Sequence, residues 1–265
     1  TNHTRLSDYE QAITENTAAL LKVNPSNYEM RGFTAEVTLP ELANLAHQHN
    51  LTALYDWGSG SFYRFAQGPL LGHPTATQVL DSGVDVIAFS GDKLLGGVQA
   101  GLILGRETLV QQLRKHPLYR ALRLDKGALA LLEETLAAYL DPTHVPERIP
   151  TVRMLEESKD EIRTRAEYTL ARLKLSQDSC FTCELRETES LAGGGALPEL
   201  TLPSLALVLK HTEQSAQQLQ TRLRGAAVPV IARIQDECVW LDFRTVLPGE
   251  FADLADALNA LCLQK

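Results

Sequence analysis

The stretch Asp85–Gly105, DVIAFSGDKLLGGVQAGLILG, decides the fold class. Its two ends, DVIAFS over Asp85–Ser90 and AGLILG over Ala100–Gly105, are apolar runs of strand composition. Only nine residues, Gly91–Gln99, separate them. A parallel crossover needs a dozen or more, so the second run is expected to return antiparallel to the first. Upstream, Ala18–Val23 and Leu51–Asp56 are further strand-like runs. Between them Leu39–Asn50 carries apolar residues at 39, 42, 43, 45 and 46, behind Thr38 as cap and with Pro40 in the first turn. That is a helix pattern. Strand and helix in alternation, closed by a tight return, predict an α/β fold with a mixed, mostly parallel sheet.

Downstream, Arg106–Lys115 and Lys126–Leu140 read as helices, and prolines at 142, 146 and 150 then punctuate the chain. A long amphipathic pattern covers about Thr151–Leu175. Strand-like runs follow at Cys180–Leu185, Ser204–Leu209, Val228–Ile234 and Val239–Phe243, with helices near Glu213–Arg224 and Glu250–Leu261. The expected organisation is a first domain over residues 1–145 and a small α+β domain over 146–265.

Hydrophobic residues make up 44% of the 265 and charged residues 22%, which excludes disordered and fibrous classes. No apolar run approaches the roughly 20 residues that cross a bilayer, so no membrane association is expected. A net charge of −8 argues against a nucleic-acid surface spread over the whole chain. The four cysteines, Cys180, Cys183, Cys238 and Cys262, are too few for a disulfide scaffold, and a reducing cytoplasm is the expected location. Cys180 and Cys183 form a C-x-x-C, but no second close pair completes a zinc site, so no metal is expected. A start at Thr1 with TNHTRLSDYE, without Met or a leader pattern, reads as a processed product or part of something longer.

The chemistry centres on Lys93, in the glycine-rich return between two strands, where open α/β sheets place ligands. The loop is not a phosphate-binding Walker motif, because Leu94 follows the lysine. Lys93 is either an ordinary surface lysine or a Schiff-base lysine around which glycines let the backbone close. Asp56 ends an apolar strand and is either a turn residue or a carboxylate partner for a pyridinium nitrogen. A lysine and an aspartate at two strand ends are what pyridoxal phosphate chemistry requires. Ser90 either bonds the cofactor phosphate or caps the turn.

Five stretches stand in the order of one known family: LLKVNPSNYEMRGFT (Leu20–Thr34), LYDWGSGS (Leu54–Ser61), SGDKLLGGVQAG (Ser90–Gly101), HPLYRALRLDK (His116–Lys126) and VPVIARIQDECVWLDFRTV (Val228–Val246). Together they resemble bacterial selenocysteine synthase, the pyridoxal-phosphate-dependent L-seryl-tRNA(Sec) selenium transferase of fold type I. The resemblance implies a partial large domain followed by a small α+β domain. It implies Lys93 as the Schiff-base lysine and Asp56 as the pyridine-nitrogen partner. Arg120 and Arg123 match a paired arginine motif and, spaced i, i+3, either share an anion-binding helix face or are simply solvated. Ser26, Asn27 and Tyr28 match a loop that lines the pocket or only turns. Arg233 matches a small-domain arginine that reaches a substrate carboxylate, or is an edge-strand charge.

The implied reaction converts L-seryl-tRNA(Sec) to L-selenocysteinyl-tRNA(Sec) with selenophosphate, through an aminoacrylyl intermediate, in a cytoplasmic homo-oligomer. The match corresponds to roughly the C-terminal 55–60% of such an enzyme, on a typical domain-size basis. The tRNA-contacting region of the family is therefore expected ahead of Thr1. Val98 stands where the family has Pro, and Trp57 where it has a smaller apolar residue. Two alternatives are a pyridoxal-phosphate lyase acting on a small amino acid or amino-sugar acid, and a non-catalytic oligomerisation module.

Overall fold

The computed structural model describes residues 2–25, 30, 32–174, 181–193, 197 and 200–263. The chain divides into two compact units, Thr1–Glu156 with Ala192–Leu200, and Glu157–Leu191 with Thr201–Lys265. The first is built on four strands in the order β1 (Ala19–Val23), β2 (Thr52–Gly58), β3 (Val86–Ser90) and β4 (Gly101–Gly105). β1, β2 and β3 run parallel, and β4 is antiparallel to β3, pairing Ser90 with Gly101 and Val86 with Gly105. The expected mixed sheet is present, and the short return dictates the reversal.

One face of this sheet carries the core. Leu20, Ala53, Tyr55, Trp57, Ile87 and Phe89 pack with Leu42, Ala43, Leu45 and Ala46 of the helix Leu39–Gln48. That helix begins as expected: the Thr38 hydroxyl accepts from the Glu41 amide, and the Glu41 carboxylate accepts from the Thr38 amide at 2.9 Å. The two reciprocal bonds satisfy amide groups that the first turn leaves unpaired.

The boundary lies at 156/157, eleven residues beyond the expected 145/146. The prolines that punctuate the chain here open the short helices Val145–Arg148 and Pro150–Glu156, whose Val145, Val152 and Leu155 are buried. Glu156 accepts from the Ala66 amide at 2.6 Å and from the Tyr63 hydroxyl at 3.2 Å. These bonds tie it into the first unit. The long amphipathic pattern also breaks in two: the second helix, Lys159–Leu170, starts at Ser158, which with Glu161 forms another reciprocal cap.

The second unit holds an antiparallel sheet of β5 (Phe181–Leu191), β6 (Thr201–His211), β7 (Arg233–Gln235) and β8 (Cys238–Asp242), in the order β5-β6-β8-β7. Leu205, Leu207, Leu209, Val239 and Leu241 meet Ile162, Leu219, Leu223 and Leu258 from three helices, Lys159–Leu170, Ala216–Arg224 and Phe251–Leu263. This is the expected α+β arrangement. Its strands depart from expectation in length: β5 and β6 are longer, whereas β7, Arg233–Gln235, keeps only two residues of the run Val228–Ile234. Among the described residues, no helix is long and apolar enough to cross a membrane.

Candidate active site

Asp56 lies near the C-terminal end of β2, in register with Ala88 of β3. Ser90 ends β3, and Lys93 follows three residues later, so the three groups occupy the C-terminal ends of neighbouring parallel strands. That is where an open parallel sheet binds ligands. The register shifts between Asp56 and Gly58, which loosens β2 just after the carboxylate. Tyr55, on the opposite side of β2, has its hydroxyl pushed up to about 12 by burial and then by the negative charge of Glu36 and Asp56.

The Lys93 loop is held from within. Gly91 N–H donates to the Ala100 carbonyl at 2.8 Å, Gly97 N–H to the Gly91 carbonyl at 2.8 Å, and Gly96 N–H to the Lys93 carbonyl at 2.9 Å. Gly96 has φ +70, and a Cβ there would stand 2.6 Å from Cγ2 of Ile149; at Gly91 it would meet the Val98 carbonyl oxygen at 2.7 Å. Glycine is thus required twice, once for the backbone angle and once for closeness. Leu94 and Leu95 are buried as anchors, and Lys93 between them and Asp92 is half-buried. A primary amine, a carboxylate and a hydroxyl on strand ends form a donor set that fits an aldehyde, a pyridinium nitrogen and a phosphate.

An open, largely apolar groove of about 400 Å³ runs along the sheet face away from the core, walled by Leu21, Leu54, Asp56, Ala88, Ile103 and Leu113. Asp56 is exposed at this groove, whereas Lys93 is not among its walls.

The other expected residues are placed differently. Arg120 is in the last turn of the short helix Pro117–Ala121, while Arg123 lies beyond its end. Both are exposed, and they do not share a helix face. The reason is local: Leu122 ends the helix, and Asp125 caps the next one, Lys126–Ala138, accepting from Gly127 and Ala128. Arg233 belongs to the second unit, on the edge strand β7, where its guanidinium sits 5.4 Å from the Trp240 ring centre and donates to the Thr188 hydroxyl at 2.6 Å. Ser26, Asn27 and Tyr28 lie outside the described residues, as does Cys180. Cys238 is a buried free thiol, and no group of His, Cys, Asp or Glu able to hold a metal occurs among the described residues.

Sequence reasoning missed Asp85. Its buried carboxylate accepts from the Ala53 amide at 2.7 Å and meets His47 Nε2 at 3.1 Å and Arg106 Nε at 2.8 Å. These partners come from three distant segments. An aspartate opening an apolar strand was the available signal, but nothing in the sequence named its partners. The cluster pins the end of β3 opposite Ser90.

A family model for SelA, L-seryl-tRNA selenium transferase, matches residues 1–247. The chain belongs to the L-seryl-tRNA selenium transferase family. Among curated L-seryl-tRNA(Sec) selenium transferases it is 46% identical over 258 residues to that of Moorella thermoacetica. It is 41% identical over 261 residues to that of Alkaliphilus metalliredigens and 44% over 259 to that of Nitratidesulfovibrio vulgaris. These matches take in 97–98% of this chain and 55–56% of each relative, so the chain spans about half the length of the selenium transferases it matches. Among solved structures it is similar to a D-glucosaminate-6-phosphate ammonia-lyase, with a TM-score of 0.55 and 21% identity, over 99% of this chain and 62% of that one. That likeness speaks for the fold, which is fold type I of the pyridoxal-phosphate enzymes. Pyridoxal phosphate is the cofactor of the selenium transferase family.

Proposed function

We propose that this sequence forms the Lys93-bearing portion of a selenocysteine synthase, which converts L-seryl-tRNA(Sec) to L-selenocysteinyl-tRNA(Sec) with selenophosphate as selenium donor. The observation that carries this reading is the placement of Lys93, Ser90 and Asp56 at adjoining strand ends, with Lys93 in a turn that glycines alone can form. Lys93 would hold the cofactor aldehyde through its amine. Asp56 would pair with the pyridine nitrogen and keep it protonated, and Ser90 would contribute to the phosphate site. When bound, the cofactor supplies an electron sink that stabilises negative charge on the substrate α-carbon. Lys93 Nζ, as a free amine, is the base that would take the substrate α-proton. The seryl Cβ hydroxyl would leave as water with the proton that Lys93 took, opening that carbon to selenium, whose bond to phosphorus is cleaved by water with release of phosphate.

Arg120 and Arg123 supply positive charge to the selenophosphate or to the substrate phosphate, as two separately mounted guanidiniums rather than one helix face. Arg233 takes a substrate anion, and Ser26, Asn27 and Tyr28 line the pocket. The tRNA is held by parts of the protein outside this sequence. The enzyme works as a homo-oligomer in the cytoplasm.

The test is incubation with pyridoxal phosphate, borohydride reduction and peptide mass mapping, on this chain and on one extended upstream. The expected product is a phosphopyridoxyl adduct confined to Lys93. In the extended chain Lys93→Ala is expected to abolish the adduct and slow selenocysteinyl-tRNA formation at least about 100-fold. An undiminished rate in that variant sinks the reading.

A further inference from the structure

The turn that carries Lys93 has a buried floor, Leu94 and Leu95, and a buried backbone carbonyl needs a donor. For Leu95 that donor comes from 44 residues away: the Tyr139 hydroxyl reaches its carbonyl oxygen at 2.7 Å. Tyr139 is the cap residue that ends the helix Lys126–Ala138. Its ring packs edge-on against Phe62, in the loop that leaves β2, six residues after Asp56. One phenol therefore ties the loop of the lysine to the loop of the aspartate.

A row of rings backs this tie. Tyr139 meets Phe62 edge-on at 5.9 Å, Phe62 meets Phe89 at 5.9 Å, and Phe89 meets Trp57 at 5.7 Å. Trp57 directly follows Asp56, and Phe89 directly precedes Ser90. Gly60 is what lets them close, since a Cβ there would stand 2.5 Å from Phe89 and 2.7 Å from Trp57. Edge-on ring pairs have a preferred geometry and contribute beyond the area they bury. Burial raises the Tyr139 hydroxyl above its ordinary value, which keeps it protonated and donating through the whole working pH range.

We infer that Tyr139 is a positioning residue of the active site, whose hydroxyl holds the Lys93 turn at a set height against the Asp56 strand end. It touches neither substrate nor cofactor and acts through the Leu95 carbonyl. The inference rests on the assignment of Lys93 as attachment lysine.

Tyr139→Phe in the whole protein keeps the ring row and removes only the hydroxyl. Amide exchange at Gly96 and Gly97 in the cofactor-free protein is expected to quicken about tenfold, the size of one lost hydrogen bond. Borohydride-trapped labelling of Lys93 is expected to slow by a similar factor with a displaced pH profile, while exchange in the second unit stays unchanged. Wild-type loop exchange and a wild-type Lys93 pH profile in this variant overturn the inference. So does a uniform rise in exchange across the first unit with the profile unmoved, which is mere stability. If Tyr139→Phe fails to fold, 3-fluorotyrosine at position 139 keeps the ring and alters only the donor strength of the hydroxyl; a change in Gly96 and Gly97 exchange and in the Lys93 pH profile is expected, and wild-type values of both overturn the inference. No Lys93 adduct in the unsubstituted protein overturns the lysine assignment instead, and the loop exchange, read without cofactor, still judges the tie.

Discussion

The two units of this chain hold their parts in place by different means. In the first, the candidate site groups sit on short strands and tight turns, and their positions depend on closeness of backbone: glycines at 60, 91 and 96 where a Cβ would come within 2.7 Å of a neighbour. In the second, eleven residue pairs zip β5 to β6, and Leu205, Leu207 and Leu209 make a continuous apolar strip in its core. The difference teaches that precision at the strand ends comes from what cannot fit, whereas the small unit relies on area buried. A site needs the former, because a one-methyl error there moves a reacting group.

Substitutions break or sharpen this contrast. The largest effect is expected at the centre of the second unit. Leu207 is fully buried, paired with Leu185 and Leu241, and Leu207→Ala is expected to cost about 2–5 kcal/mol by denaturant unfolding. Gly96→Ala adds a single methyl at φ +70 against Ile149 and is expected to cost about 1–3 kcal/mol. Its labelling at Lys93 is expected to fall out of proportion to that loss. Equal losses in stability and labelling would remove the distinction between the units.

A third effect is pH-dependent and confined to the first unit. His73 stacks on Trp57 at 5.6 Å, and burial lowers its affinity for a proton below the ordinary 6.5. Above 6.5 the ring is neutral in both folded and unfolded states. Below it the unfolded chain takes the proton first, so stability falls with falling pH until the folded ring titrates as well. Unfolding measured between pH 7 and 5 is expected to show this slope, and His73→Phe to flatten it; an unchanged slope in the variant assigns it elsewhere. The smallest effect is expected at the surface of the second unit. Lys159 pairs with Glu187, an exposed carboxylate, and Lys159→Ala is expected to leave the unfolding midpoint within error.

How much of this could be read in advance depended on the range of the interactions. The helix Leu39–Gln48 was legible with its Thr38 cap, because a capping box closes within four residues. The reversal of β4 was legible because nine residues cannot make a parallel crossover. The polar half of β5 was not legible: Glu187, Thr188 and Glu189 form strand only because β6 supplies Leu205, Ser204 and Pro203 opposite them. The run Val228–Ile234 erred the other way, apolar enough for a strand but paired with β8 only from Arg233 onward. The expected shared face of Arg120 and Arg123 failed because Leu122 ends a five-residue helix between them.

The sequence by itself determined the fold class and the family, since both are written in local spacing and motif order. It also singled out Lys93, Ser90 and Asp56 as candidate site residues, which lie at adjoining strand ends. Only the tertiary structure decided what holds those groups: the Tyr139 hydroxyl on the Leu95 carbonyl, the ring row from Tyr139 to Trp57, and Asp85 bound to residues 32 and 38 positions upstream. The reason is physical. A turn or a cap is stabilised by its neighbours in the chain, while the height of a loop is set by side chains that reach it from distant segments, and their meeting depends on the whole fold.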